Sequence, residues 1–326
     1  AAEVQLAMPE PPLTSARAPF SPGQEEVHLA DGESPSGDSM AFPQAESAGK
    51  RLDEWAEANL KVQQVSSTPP KLAARDKSPK KQRPLSASKA MDYFRSLDVG
   101  PYLDSIVEDS TSGEEASCWR RILGWFTGSG QKLKTRELAE ERRRVFCYAK
   151  MPFNDDDEMH YRILASIFER FTAKEPPSRY GPHWGELGFQ GDDPATDLRG
   201  CGMLGLLQLL YLLDHNTPNA MTVFRLSASR EQEFPLSIVS MNITKWCLQV
   251  LRHGYLTRAG NSLSSVFDAV NLFYVGAWYT FYSTWVDKKA TMLQSGLILK
   301  EVEEYCKKNV KIVLKTADWK TIEGVP

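Results

Sequence analysis

Residues 193–213 read DPATDLRGCGMLGLLQLLYLL. From Met203 to Leu213 only Gly205 and Gln208 break an otherwise apolar run, and a helix that is apolar nearly all round belongs in the centre of a fold. It is too short to cross a bilayer, which takes about 20 residues. The start of this helix breaks two local rules. A helix N-terminus carries partial positive charge, so Arg199 in a first turn costs roughly 0.3–1 kcal/mol. Gly200 and Gly202 cost about 1 kcal/mol each relative to alanine if they lie inside the helix, which points to another backbone or a partner coming close. Broken rules that coincide at one place tend to mark a functional site.

Immediately upstream, residues 172–194 (TAKEPPSRYGPHWGELGFQGDDP) form a long connection rich in Gly and Pro that still holds Tyr180, Trp184 and Phe189. A connector of this length inside a compact domain is functional or disordered, and its aromatics favour packing. Farther out the apolar spacing is helical. Ser86 precedes a capped helix through Ala90 and Phe94, interrupted at Gly100-Pro101 and resumed to about Val107. CWRRILGWF (118–126) is a compact apolar patch. Residues 133–150 read as a charged amphipathic helix with Leu138, Val145 and Phe146 inward. Asn154 and the acids Asp155–Glu158 open a helix whose stripe runs from His160 through Ile163, Leu164, Ile167 and Phe168 to Phe171, and acids suit a first turn.

Downstream, helices are predicted over 219–233, 237–253, 262–287 and 291–309. No hairpin or strand alternation appears, so the fold class is all-α, with one multi-helix domain over 85–320. Residues 269–286 carry no charge, which reaches the roughly 18-residue minimum for a membrane span. The polar Asn271, Thr280, Ser283 and Thr284 within it, bracketed by Asp268 and Asp287, instead predict a buried bundle helix and no transmembrane segment.

Composition divides the chain unevenly. Residues 1–84 are crowded with Pro, Ser, Ala, Glu and Gly and cannot bury enough apolar surface to offset ordering entropy, so a disordered tail is expected there. Within and just beyond it, 71–89 (KLAARDKSPKKQRPLSASK) is a basic linker with seven basic residues and one acid. Such a run suits a solvated tether, an acidic lipid surface or an acidic tubulin tail. No nucleic-acid partner is expected. The cysteines Cys118, Cys147, Cys201, Cys247 and Cys306 are odd in number and scattered through apolar stretches, which predicts reduced thiols. No metal-ligand spacing, nucleophile motif or phosphate-binding glycine loop is present, so neither a cofactor nor a self-contained enzyme is expected. His183 beside Trp184 lacks a visible nucleophile or metal to serve as a base. No charged-then-apolar leader opens the chain, and a cytoplasmic protein is expected.

The region from Trp184 to Leu213, WGELGFQGDDPATDLRGCGMLGLLQLLYLL, resembles the signature of the ELMO domain, W-x3-GFQ-x3-P-x-TD-x-RG-x-G before an apolar helix. Trp184, Gly188, Phe189, Gln190, Pro194, Thr196, Asp197, Arg199, Gly200 and Gly202 occupy its positions. The resemblance runs on through FRLSASREQEFPLSIVSMNIT (224–244) to about Leu314. MDYFRSLDVGPYLDSI and CWRRILGWF upstream resemble the branch of the ELMO-domain-containing family that holds its third member.

What the resemblance implies is an activator of Arf and Arf-like small GTPases in which the arginine of TD-x-RG, here Arg199, acts in trans. An arginine supplied this way accelerates GTP hydrolysis by roughly 10³–10⁵, or about 4–7 kcal/mol. Asp197 is expected to cap the helix and orient Arg199. Gln190, Thr196, Gly200 and Gly202 are candidates for supporting or facing the partner, and Trp184, Phe189 and Pro194 for structural anchors. Other readings stay open. Arg199 could pair with Asp197, Asp193 or Glu186 and pin the long loop. The domain could be a non-catalytic scaffold, or a ciliary or cytoskeletal interaction protein, and membranes, cytoskeleton or cilia are the places such roles would put it.

Overall fold

The apolar runs assemble around two buried helices. The computed structural model describes residues 83–103, 106 and 132–318, and among the described residues there are helices and no strand. The expectations for 1–82, and for the apolar patch and Cys118 within 107–131, lie outside the described residues.

Helix α1 spans Ala87–Ser96, and Ser86 caps it by accepting the Lys89 N–H. Helix α2, Arg136–Lys150, is capped by Thr135 and buries Leu138, Val145 and Phe146 as its spacing predicts. Helix α3, Glu158–Thr172, starts at Asp157, whose carboxylate accepts the Met159 N–H, and stops at Ala173 in the left-handed region. Helix α4 spans Gly202–His215, α5 Thr217–Ser227, α6 Leu236–Arg252, α7 Thr257–Leu263, α8 Val266–Asp287, α9 Ser295–Lys308 and α10 Val310–Thr316. Residues 100–103 are also helical.

Helix α4 packs against α1, α2, α3, α5, α6 and α8, so its nearly all-round apolar surface is covered. Helix α8 packs against α2, α4, α6, α7, α9 and α10, and its Phe273, Trp278, Phe281 and Trp285 are fully buried core residues. Between the two, Gln208 Nε2 donates to Asn271 Oδ1 at 3.5 Å, which pairs polar groups that burial would otherwise leave costly. No helix among the described residues is long and apolar enough to cross a membrane.

Three predicted boundaries move for tertiary reasons. Helix α5 ends at Ser227, short of residue 233, because the chain turns back there: the Phe234 N–H donates to the Ser227 carbonyl, and Phe234 packs edge-on to Phe281 and Trp285. The stretch 262–287 divides at Ser264, which is left-handed, and Ser265 caps α8 through the Asp268 N–H. A 3₁₀ turn, Met292–Gln294, precedes α9, and α10 follows where no helix was predicted, with Val310 and Val313 buried.

The start of α4 abuts the end of α2. The Met203 N–H donates to the Met151 carbonyl at 2.9 Å. Gly202 has φ of +49°, and a Cβ there would lie 2.5 Å from the Met151 carbonyl oxygen and 2.7 Å from those of Ala149 and Tyr148. The close backbone approach anticipated at this glycine is therefore real, and it brings unlike ends of two helix dipoles together. Gly202→Ala is predicted to lower unfolding free energy by at least about 2 kcal/mol, because clash adds to the backbone strain. Gly191→Ala, with φ of +71° but nothing within 4 Å of its Cβ, should cost only about 1 kcal/mol. Urea unfolding of both variants checks this, and equal losses would contradict it.

Candidate functional site

The connection leading to Arg199 is fastened at several points. Trp184 is fully buried, meets Phe168 edge-on at 5.3 Å and donates its indole N–H to the Arg179 carbonyl at 2.9 Å. Phe189 is also buried, and the Ser237 hydroxyl donates to the Leu187 carbonyl, which ties the loop to α6. Arg179 joins the loop to the start of α3. Its Nε lies 2.6 Å from Asp155 and its Nη2 2.9 Å from Asp193. The guanidinium also stacks over Phe153 at 4.2 Å and Tyr180 at 4.5 Å. Tyr180 donates to Asp155, and Glu186 pairs with Lys174 at 2.8 Å. The loop therefore packs through its aromatics, and the arginine that pins it is Arg179.

A 3₁₀ turn, Pro194–Leu198, follows. The Asp193 carboxylate accepts the Ala195 N–H, the Thr196 hydroxyl donates to the Asp193 carbonyl, and Pro194 and Leu198 are buried. Asp197 does not cap α4. Its carboxylate accepts the Gln190 backbone N–H at 2.6 Å and so closes the turn on the preceding loop. Burial pushes this carboxyl above its ordinary range, while the Gln190 hydrogen bond opposes the shift. The N-cap position of α4 belongs to Cys201, which makes no side-chain capping bond. Arg199 likewise lies outside the first turn, in the link between the 3₁₀ turn and α4, so the dipole penalty expected for it does not arise. Gly200, exposed with φ of +84°, lets the chain reverse there. The neighbouring Cys201 thiol is buried and pushed up to about 12, which leaves it an inert core group.

Arg199 is exposed, and among the described residues its guanidinium forms no hydrogen bond or ion pair. Its ion-pair candidates are otherwise engaged: Asp193 by Arg179, Glu186 by Lys174, and Asp197 by the Gln190 N–H. Asp197 still feels its charge, which draws that carboxyl's proton affinity down.

Arg199 borders a cleft of about 650 Å³ between its own link, the C-terminal half of α2 and the end of α6. Arg142, Arg143, Lys150 and Arg252 share the lining with it, no acidic side chain does among the described residues, and Phe146, Phe153 and Leu248 supply apolar wall. Arg142 and Arg252 lie over the Phe146 ring at 5.2 and 5.7 Å. Arg142 Nη2 also donates to the Leu251 and Arg252 carbonyls. A concave surface lined by one sign of charge focuses field and attracts anions. These four basic residues were not among the sequence candidates. For Arg142, Arg143 and Lys150 the signal was the density of basic residues in RELAEERRRVFCYAK, read there as part of a charged amphipathic helix; Arg252 had no such signal.

Thr196 and Gln190 lie exposed on the same segment as Arg199. His183 packs edge-on to Phe168, with Nε2 3.1 Å from the Ser178 carbonyl, and belongs to the loop's packing. Among the described residues no group of three or more His, Cys, Asp or Glu side chains could hold a metal ion.

Arg199, its loop and the cleft-lining residues named above other than Arg142 fall within residues 143–299, which match the model of the ELMO/CED-12 family. The chain belongs to that family. It is 34% identical over 268 residues to ELMO domain-containing protein 3 of Homo sapiens, covering 81% of this chain and 69% of that protein. The Mus musculus counterpart is 35% identical over 72% of this chain and 61% of its own length. ELMO domain-containing protein 2 of Homo sapiens is 28% identical over 48% of this chain and 52% of its own. No solved structure matches the chain.

The two arginines separate structure from chemistry. Arg179→Ala is predicted to destabilise the domain by about 1–3 kcal/mol, since it removes a largely buried guanidinium from two ring contacts, from the half-buried Asp193 and from the exposed Asp155. Arg199→Ala should change stability by less than about 0.5 kcal/mol. Thermal and denaturant unfolding of the pair test this, and a large loss in Arg199→Ala would return that residue to a structural role.

Proposed function

We propose that this protein is a GTPase-activating protein for Arf-family GTPases and supplies Arg199 in trans to the partner's nucleotide. One observation carries the reading: among the described residues, a side chain in the family's TD-x-RG segment stands exposed and unpaired, on a loop that other residues hold in place, at the edge of a cleft with no acid in its lining. GTP hydrolysis spreads negative charge over the transferring phosphoryl group, and catalysis is largely a matter of placing positive charge against it. Arginine suits this role because its planar fork bridges two oxygens and stays charged. Fixing the backbone on both sides of Arg199, by the Asp197–Gln190 contact before it and by the buried start of α4 after it, lowers the entropy of presenting the group. The other basic residues of the cleft are suited to docking, since complementary charge raises the rate of encounter more than it stabilises the transition state.

Single-turnover GTP hydrolysis by a panel of Arf-family GTPases tests the proposal. The full chain is expected to accelerate at least one of them by roughly 10³-fold or more, with the gain lost in Arg199→Ala and largely lost in Arg199→Lys. No acceleration across the panel would leave a docking module without activator function. Full acceleration by Arg199→Ala would keep the activator role and remove Arg199 from it.

A further inference from the structure

We propose that the turn between α8 and α9 docks on an anionic lipid surface. Leu293 is 97% exposed, Leu297 64% and Met292 38%. The 3₁₀ turn Met292–Gln294 runs directly into α9, so Leu293 and Leu297 stand one helical turn apart on one face. Three exposed lysines flank them: Lys288 and Lys289 before the turn and Lys300 after it. Two acids lie nearby in sequence: Glu301 forms a neutral pair with Lys288, and Asp287 is exposed beside that pair, which leaves Lys289 and Lys300 as the lysines without an ion pair among the described residues.

The tip is built to hold its shape. Thr291 and Gln294 form a capping box, the side chain of Gln294 accepting the Thr291 N–H at 3.0 Å. Ala290 is fully buried and anchors the turn to the core through its N–H to the Trp285 carbonyl. The apolar side chains are thus presented outward on a fixed backbone, in a position where nothing in the fold gains from them.

Single exposed apolar residues are ordinary, but a leucine pair with a methionine, flanked in sequence by the exposed Lys289 and Lys300, has the composition of an interfacial anchor. Lysines lie at headgroup level and meet the negative potential of an acidic leaflet, while the leucines enter the acyl boundary. A second copy fits less well, because a two-fold interface would bring the Lys289 and Lys300 charges of the two copies onto one patch. A stable protein interface takes about 800 Å² from each partner, and the apolar part of this tip is only three side chains.

Co-sedimentation of the full chain with phosphatidylcholine vesicles, with and without phosphatidylserine, tests the proposal. Binding is expected only with phosphatidylserine. Leu293→Asp with Leu297→Asp should weaken it by at least about tenfold. Lys289→Ala and Lys300→Ala should weaken it by about fivefold each, and Leu293→Trp should strengthen it, because an indole favours the interface. Unfolding temperatures should not move, since the side chains are exposed. Binding that persists undiminished in the leucine variants would overturn the proposal and assign lipid contact to the basic segment 71–89. Absence of binding to phosphatidylserine vesicles would overturn it too, as would a dimer or protein complex that the same substitutions abolish.

Discussion

The contact between the Met203 N–H and the Met151 carbonyl, made across Gly202, sets the position of everything around Arg199. It places the first turn of the most buried helix against the last turn of α2. The amide groups that open one helix and the carbonyls that close the other are both short of intrahelical partners, and each supplies what the other lacks. Only a residue without a Cβ permits the approach. Because α4 then continues straight into the core, the few residues before it have no room to relax, and Arg199 is left facing the cleft that α2 and α6 bound on their outer sides.

The electrostatic arrangement follows from that geometry. Among the described residues, Asp193, Glu186 and Asp197 are each engaged elsewhere, most clearly Asp193, which Arg179 holds together with Asp155 across the long loop. Arg179 is a partly buried group with two ion pairs and two aromatic neighbours, the environment of a structural arginine. Arg199 has the opposite environment, exposed and without an ion partner among the described residues. Two arginines twenty positions apart therefore divide the work, one closing the loop and the other left available.

Much of the fold was legible in residue spacing, because burial of an apolar face is what most of these helices have in common. The centrality of α4 followed from its nearly unbroken apolar run, and the inward faces of α2 and α3 from their periodicity. What spacing does not carry is tertiary hydrogen bonding. The early end of α5 depends on Gln232 and Phe234 finding Trp285, more than fifty residues away. The capping role expected of Asp197 was mistaken because a carboxylate before a helix can serve either the helix or the preceding loop, and the Gln190 N–H took it. Arg199 stood out in the sequence through a motif and through a helix-start anomaly that the structure removes. The reason it is left unpaired, Arg179, had no periodic or local signal.

The central claim is that Arg199 recognises charge that develops on a partner's phosphoryl group. The direct measurement is the affinity of the full chain and of Arg199→Ala for an Arf-family GTPase loaded with GDP, with and without aluminium fluoride as a mimic of the transferring phosphoryl group. The account predicts tight binding only with the mimic, a preference that Arg199→Ala abolishes while weak binding to the GDP form is unchanged. Equal affinity of the two chains for the mimic complex would contradict it.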